Sequence, residues 1–522
     1  MFKNEPLLDF TIPSVIESVQ AALNTLNSKI GSSPLVASPI IGGKRITGLK
    51  TLPSTDPALP SVAIGHSELA IETHARQALE VLSHGAPAWA ATPFAERAKI
   101  IRDVGERMCK ERLALTALII REAGKNWREA DKDVCEAIDF CRFYADEMLR
   151  LGPPRRTMQV PGEENTYYYR PKGIAVVIAP WNFPLAIACG MTVAALVAGN
   201  CTALKPAEQT PLIAAEFARI VLEAGVPASA FAFLPGLGEV VGRALVQDPL
   251  TDLICFTGSK AVGLEILKSA SQVLPGQRSI KRVITELGGK NALIVDEDAD
   301  LDEAIKASIE SAFGFSGQKC SALSRLIVIG DAYELLLERL KDATSDLIIG
   351  VPQAPATFLG PVIDEQAQQR ILSTIQEAEK RLTLVYKGKV PSQGYFVPPT
   401  LFRDVPAQDP LWREEVFGPV VACVKARSIE EAVMMANDSE YALTGGICSR
   451  SPKNIDYVRS HLRVGNLYIN RGITGALVCR QPFGGFQMSG IGSKAGGSDY
   501  LLQFLEPRTC TENTMRRGFA PE

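Results

Sequence analysis

The sequence predicts an α/β protein built around two doubly wound, mostly parallel sheets, and three observations carry that prediction. Between residues 173 and 285, short apolar runs suited to buried strands alternate with stretches of helical spacing. A second alternating set runs from about residue 292 to 483. The third observation is length: 522 residues are more than one hydrophobic core organises, so two or three domains are expected.

Taken in order, residues 1–65 mix short apolar runs with Pro and Gly, and read as loops with a few edge strands and a surface helix over 11–26. From 67 to 151 the pattern is helical. Ser67 is placed to cap one helix, and Thr92-Pro93 offers an N-cap followed by proline at the first helical position. Gly124 and Gly152 mark helix ends. Between Trp127 and Leu151, Val134, Ile138, Phe143 and Met148 recur at helical spacing, which assigns the acids and bases to the opposite face. Residues 159–169 alternate and read as a hairpin. Strands are expected at 173–179, 201–204, 231–234, 253–256, 282–285 and 324–329, and helices at 184–198, 332–347 and 429–436. Thr210-Pro211 is expected to cap a helix ending at Gly225, and 499–511 to form an edge strand.

Hydrophobic residues make up 46% of the chain and charged residues 22%, the balance of a soluble globular protein. A net charge of −3 supplies no bulk attraction to nucleic acid or to an anionic membrane. The 11 cysteines show no paired spacing, and the four histidines (His66, His74, His84, His461) lie far apart. Free thiols in a reducing compartment are therefore expected, with neither a disulfide framework nor a metal site. The start, Met1-Phe-Lys-Asn-Glu-Pro-Leu-Leu-Asp-Phe10, carries acids and no apolar h-region, so it reads as neither secretory signal nor transit peptide, and a cytoplasmic protein is expected. The uncharged stretch 173–204 has the length of a membrane span, but Pro180, Asn182 and Pro184 break it into strand, loop and helix.

Five segments carry chemistry. Phe313-Gly-Phe-Ser-Gly-Gln-Lys-Cys-Ser-Ala-Leu-Ser-Arg325 holds Cys320 in a glycine-rich turn, where Lys319 is expected to favour thiolate over thiol. That makes Cys320 a candidate nucleophile, although a free cysteine is most often a small core hydrophobe. Pro180-Trp-Asn-Phe-Pro184 follows a buried strand, at the sheet edge where doubly wound folds bind ligands. Asn182 offers an amide donor there, or else caps a turn. Lys205-Pro-Ala-Glu208 also follows a strand; its lysine and carboxylate suit ribose hydroxyls, and the carboxylate repels a 2′-phosphate, but the same residues make an ordinary charged turn. In Phe256-Thr-Gly-Ser-Lys-Ala-Val-Gly263 a strand ends, Gly258 turns and Ser259 opens a helix whose N-terminus suits a pyrophosphate. This is neither a G-x-G-x-x-G fingerprint nor a P-loop. Finally, Glu286 in Thr285-Glu-Leu-Gly-Gly-Lys-Asn291 ends a strand, where burial raises a carboxylate's pKa toward that of a general base.

In this order, and with Glu414-Glu-Val-Phe-Gly-Pro419, these segments resemble the aldehyde dehydrogenase superfamily over nearly the whole chain. The resemblance implies an aldehyde dehydrogenase-like α/β fold: two doubly wound α/β domains plus a β-strand oligomerisation flap. It places an NAD-binding domain at 1–152 and 172–285, a catalytic domain at 286–485 and the flap at 153–171 and 486–522. It implies NAD-dependent oxidation of an aldehyde to an acid in a homodimer or larger homo-oligomer. Carried over residue by residue, Cys320 is the nucleophile that forms a thiohemiacetal and then a thioester. Asn182 and the Cys320 N–H form the oxyanion hole, and Glu286 activates water. NAD contacts fall to Pro180, Trp181, Lys205, Glu208, Gly258, Ser259, Gly263, Glu415 and Phe417.

Lys319 and Ser321, with Asn470-Arg-Gly-Ile-Thr-Gly-Ala-Leu-Val-Cys-Arg-Gln-Pro-Phe-Gly-Gly485, are similar to the glutamate semialdehyde (1-pyrroline-5-carboxylate) dehydrogenase branch, which acts in proline catabolism. An amino-acid semialdehyde needs a carboxylate grip, and successive N–H groups at Gly475 and Ala476 suit one. Ser321 adds a hydroxyl and Lys319 positive charge, unless Lys319 serves only the thiol or points to solvent. Phe183 and Phe483 are placed to hold the methylene chain. Cys479 and Thr285 depart from the generic pattern. Three other readings stay open: a dehydrogenase for another carboxylated semialdehyde such as succinate semialdehyde, a non-catalytic structural relative, and a cysteine hydrolase. The joint presence of Cys320, Glu286 and Asn182 weighs against the second, and the lack of a histidine near either motif weighs against the third.

Overall fold

The computed structural model describes residues 2–515, so the end of the expected 486–522 segment lies outside the described residues. Five parallel strands form the heart of an eight-stranded sheet, in the order Arg282–Glu286, Leu253–Thr257, Ile174–Ile178, Cys201–Lys205, Phe231–Phe233. The chain starts at the centre with Ile174–Ile178, winds outward on one side, then returns to the other. That reversal creates a switch point between Ile174–Ile178 and Leu253–Thr257, with a crevice outside their carboxyl ends. Ile40–Ile41 and Lys44–Arg45 extend one edge and Gly490–Ile491 the other, all antiparallel.

A seven-stranded sheet follows the order Thr383–Lys387, Thr400–Arg403, Val420–Ala426, Leu323–Ile329, Asn291–Val295, Thr444–Cys448, Asn466–Ile469, parallel except for the first. Only the turn 287–290 separates Arg282–Glu286 in the first sheet from Asn291–Val295 in the second. The carboxyl edge of one sheet therefore meets the amino edge of the other, and the site lies between them. Ile174–Ile178, Cys201–Lys205, Asn291–Val295 and Thr444–Cys448 are buried at every position, as strands covered on both faces must be. A three-stranded antiparallel sheet joins Arg155–Arg156, Glu163–Pro171 and Leu505–Asn513. No helix among the described residues is long and apolar enough to cross a membrane.

Several local expectations are corrected by distant contacts. The N-terminal helix runs Pro13–Ser32. Ser67 caps nothing: it lies in Leu59–Glu68, paired with Thr51–Asp56, and the helix begins at Glu72. The Thr92 hydroxyl bonds back to Ala88 O at 3.1 Å, closing the preceding helix instead of opening the next. Thr210 makes no side-chain cap, because the Glu122 carboxylate takes the N–H groups of Leu212 and Ile213 at 2.7 and 2.9 Å. The expected strand at 499–511 begins as a 3-10 turn, Tyr500–Phe504, whose Tyr500 stacks on Tyr144 in the core.

The largest correction concerns helix Trp127–Leu151. Its acids do not form a solvated face: Glu129, Asp131, Asp133 and Asp139 are all buried. Each has a partner that the helix's own spacing does not reveal. Lys125 Nζ lies 2.9 Å from Asp133 Oδ2 with both side chains fully buried, and Asp133 Oδ1 accepts Ala186 N–H at 2.7 Å. Removing one member of such a pair strands a charge. Lys125→Met is expected to cost about 3 kcal/mol, read as a lower denaturation midpoint. Lys125→Met/Asp133→Asn, which keeps an acceptor for Ala186 without the charge, recovers part of that loss; an unchanged midpoint in the single variant contradicts this account.

Candidate active site

Cys320 follows a tight turn, Gly314–Gly317, in which Phe315 (φ 51°) and Ser316 (φ 56°) take left-handed backbone that non-glycine residues rarely adopt. Neighbouring chain holds this shape. Ser316 Oγ donates to Gly360 O at 2.7 Å, and Gln318 Oε1 accepts Ile363 N–H at 2.9 Å. On the other side, Asn291 Nδ2 donates to Cys320 O at 2.7 Å and Ala322 O at 2.8 Å, while its Oδ1 accepts Thr444 N–H at 3.0 Å. Asn182 reaches the same loop: its Oδ1 accepts Phe183 N–H and its Nδ2 donates to Gln318 O, both at 3.1 Å. Its Nδ2 keeps a second hydrogen for a ligand oxygen.

Glu286 ends its strand with Oε2 shut away from water and without a hydrogen-bond partner. Burial pushes its pKa up to about 8, opposed by Lys494 and by the Gly485 N–H. Lys494 Nζ is itself held by Gly465 O at 2.8 Å, Gly484 O at 2.5 Å and Asn466 Oδ1 at 3.1 Å. The Cys320 thiol is pushed above its ordinary range by burial and by the carboxylates of Glu415 and Glu286; the N–H groups of Ser321 and Cys320 act the other way. The expected help from Lys319 is absent. Its ammonium sits 2.7 Å from Glu129 Oε2 with both groups buried, and its charge is spent there. Burial opposes ionising Glu129, yet Lys319, Lys132 and Lys125 outweigh it and hold the carboxyl at about 2.

The residues expected around a dinucleotide line the carboxyl edge of the first sheet. Lys205 Nζ and Gly238 N–H both donate to Glu208 Oε1, at 2.7 and 2.6 Å. Ser259 caps helix Lys260–Ala270, its hydroxyl accepting Val262 N–H at 3.4 Å; Gly258 N–H donates to Glu286 O at 3.1 Å, and Gly263 packs where a side chain would overlap Leu287. Glu415 crosses the cleft to accept Gly289 N–H at 2.8 Å, and burial lifts its carboxyl to about 7. A Cβ on Gly288 would overlap the Glu415 carboxylate, so only glycine lets the two approach. Trp181, after Pro180, meets Phe417 edge-to-face at 5.5 Å and Phe315 at 6.5 Å. A carboxylate–lysine pair after Cys201–Lys205, a capped helix N-terminus after Leu253–Thr257 and, between them, the end of Ile174–Ile178 fit a dinucleotide with a free ribose diol.

Three polar groups in the segments expected to meet substrate lack protein partners among the described residues. Ser321 is 7% exposed, yet its hydroxyl bonds to nothing among the described residues. Gly475 (φ 75°) and Ala476 have N–H groups with no acceptor among the described residues. Phe483 pairs with Ala495 through bonds of 2.9 and 2.7 Å. The Phe183 ring lies under Lys125 Nζ, 3.9 Å from the centroid. Sequence reasoning missed Glu136, one turn beyond Asp133 on helix Trp127–Leu151. Burial raises its carboxyl to about 8, Asp133 and Asp139 add to the rise, and Lys125 and Lys319 oppose it. Its only sequence signal is the crowding of acids in 129–139. The negative field at Cys320 yields a test: Glu415→Gln is expected to speed iodoacetamide alkylation of Cys320 about three- to tenfold at pH about 9, because losing a carboxylate lowers a neighbouring thiol's pKa. An unchanged or slower rate contradicts this reading.

Residues 46–510 match the aldehyde dehydrogenase family. The chain is 44% identical over 513 residues to 1-pyrroline-5-carboxylate dehydrogenase of Geobacillus sp. (strain WCH70), covering 98% of this chain and 99% of that one. It is 42% identical over 513 residues to 1-pyrroline-5-carboxylate dehydrogenase 2 of Bacillus subtilis (strain 168), with the same coverage. The structure of 1-pyrroline-5-carboxylate dehydrogenase from Thermus with bound NAD superposes at TM-score 0.96 and 40% identity, over 98% of this chain and 99% of that one. Proline utilization A from Bdellovibrio bacteriovorus superposes at TM-score 0.98 and 48% identity; all of this chain is covered, and it spans 54% of that longer one. On matched length and identity alike, this chain belongs to the aldehyde dehydrogenase family.

Proposed function

We propose that this protein oxidises L-glutamate γ-semialdehyde, the open form of 1-pyrroline-5-carboxylate, to L-glutamate with NAD. One observation carries the reading: over 98% of its length the chain matches the 1-pyrroline-5-carboxylate dehydrogenases of Geobacillus and Bacillus at 44% and 42% identity, and the groups assigned to substrate are complementary to an α-amino acid. The Gly475 and Ala476 N–H groups and the Ser321 hydroxyl are donors suited to a carboxylate, and Glu136 is an acceptor suited to an ammonium. The names and full-length match of the Geobacillus, Bacillus and Thermus relatives support the same substrate. Glu136 favours it over succinate semialdehyde, which has no ammonium.

In this reading the Cys320 thiolate adds to the aldehyde carbon, and Asn182 Nδ2 and the Cys320 N–H hold the resulting oxyanion. Bound NAD, held by Lys205, Glu208, Ser259 and Glu415, supplies the two-electron acceptor for the aldehyde C–H. A thioester to Cys320 remains. Glu286 takes a proton from the water that attacks it, the C–S bond breaks, and the acid leaves. Phe183 and Phe483 flank the methylene chain. Lys319 neutralises Glu129 in this reading and acts on the substrate only through that pair.

The free edge strand Leu505–Asn513 and its sheet fit a homo-oligomerisation flap, and the domain division set out above and a cytoplasmic location complete the proposal.

Glu286→Gln is expected to form one equivalent of reduced cofactor per site and then stall, and Cys320→Ala to form none; normal turnover after the burst contradicts the base assignment. Glu286 is protonated below its pKa of about 8 and becomes a base above it, so thioester hydrolysis is expected to rise with pH through about 8 and level off. The wild type is expected to prefer glutamate semialdehyde to succinate semialdehyde, with Glu136→Gln removing about tenfold of kcat/KM for the former. A preference for succinate semialdehyde overturns the substrate assignment.

A further inference from the structure

We propose that the N-terminal segment, residues 2–10, is a functional part of the substrate site: through Asn4 it positions the loop that presents Gly475 and Ala476. The inference rests on the carboxylate-binding role given to that loop above.

The segment is a strap laid along helix Trp127–Leu151. Phe2 packs edge-to-face on Phe143 at 5.4 Å, and Phe10 on Trp127 at 5.8 Å. Between them, Glu5 N–H donates to Asp139 Oδ1 at 2.7 Å and Leu8 N–H to Asp131 Oδ2 at 2.9 Å. The Glu5 carboxylate pairs with Arg112 at 3.3 Å and Arg142 at 2.5 Å. These ties answer for two of the buried acids of that helix, Asp131 and Asp139, and none of them requires Asn4.

Asn4 does something different. Its Nδ2 donates to Asp139 Oδ2 at 2.8 Å and to Val478 O at 2.9 Å. The first bond fixes the amide to the helix, and the second reaches the loop two residues past Ala476. The far side of the loop is gripped as well. Cys479 N–H donates to Gly496 O at 2.8 Å, and Gly496 N–H donates to the Tyr144 hydroxyl at 2.8 Å. Cys479 sits at φ 67°, a conformation that costs a non-glycine residue roughly 1–3 kcal/mol and persists only where surroundings impose it. Asp139 and Tyr144 lie on the same helix as Glu136. The strap thus sets the loop's donors against the helix's acceptor, and so fixes the spacing between carboxylate and ammonium sites. Asn4 touches neither cofactor nor reacting atoms; it is a positioning residue.

The test is Asn4→Ala in the full chain, assayed with three aldehydes of equal chain length: glutamate semialdehyde, 5-oxopentanoate, which lacks the ammonium, and pentanal, which lacks both charges. The expected result is a KM about tenfold higher for both carboxylated substrates, the size of one lost, partly buried hydrogen bond, with kcat within about twofold and pentanal unaffected. Should Asn4→Ala not fold, Asn4→Gln serves instead: the longer side chain displaces the loop, and the same split between carboxylated and uncharged aldehydes is expected. Equal losses on all three substrates reduce the strap to a structural brace, and unchanged KM values for all three remove it from the site; either overturns the proposal. A wild type that takes pentanal as readily as the carboxylated substrates overturns the substrate assignment itself, before the variant is considered.

Discussion

The side-chain amide of Asn291 is the joint on which the site depends. Its three bonds tie the carbonyls of Cys320 and Ala322 to the N–H of Thr444, and so fix the cysteine loop to two neighbouring strands of the second sheet. The residue is 3% exposed, and its bonds to Ala322 and Thr444 are made away from water, where an unmet donor or acceptor costs about 1–3 kcal/mol. Asn291 is also the first residue of its strand, reached by the turn 287–290 from Glu286. One short stretch therefore delivers the base and anchors the nucleophile. The left-handed turn at Phe315 and Ser316 is tolerated because both of its flanks are held in this way.

Charge in the cleft is arranged against ionisation in the free chain. Glu286 and Glu415 are lifted toward neutrality by burial, and both work against the Cys320 thiolate. A buried lysine next to the cysteine does not relieve this, because Glu129 claims it. Such a site keeps its thiol protonated until something else changes the local field. It also keeps its general base near the pH at which a water can be deprotonated usefully. The same helix that supplies Glu129 supplies Glu136, so the acids that compensate Lys125 and Lys319 and the acid offered to the substrate share one face.

Much of this was legible in the sequence. Strands such as Ile174–Ile178 and Cys201–Lys205 announce themselves as unbroken apolar runs, because covered parallel strands have no solvent face. Cys320, Glu286 and Asn182 each allow a bland reading alone, and it is their order among motifs shared with the aldehyde dehydrogenase superfamily that singles them out. What could not be read depends on partners far along the chain. Thr210 looked like a cap, but Glu122, 90 positions before the Leu212 N–H that it accepts, does the capping. The acids of helix Trp127–Leu151 looked solvated, because periodicity gives the face and not what covers it; the covering is Lys125, Lys319 and the strap. The direction of Lys319 likewise follows from Glu129, not from its neighbour.

The central claim is that this cleft recognises both charges of an α-amino acid. Calorimetric binding of L-glutamate, compared with glutarate, tests it without turnover. The wild type is expected to bind L-glutamate more tightly than glutarate and Glu136→Gln to lose that difference, with glutarate binding little changed. Equal affinity of the wild type for the two acids would contradict it.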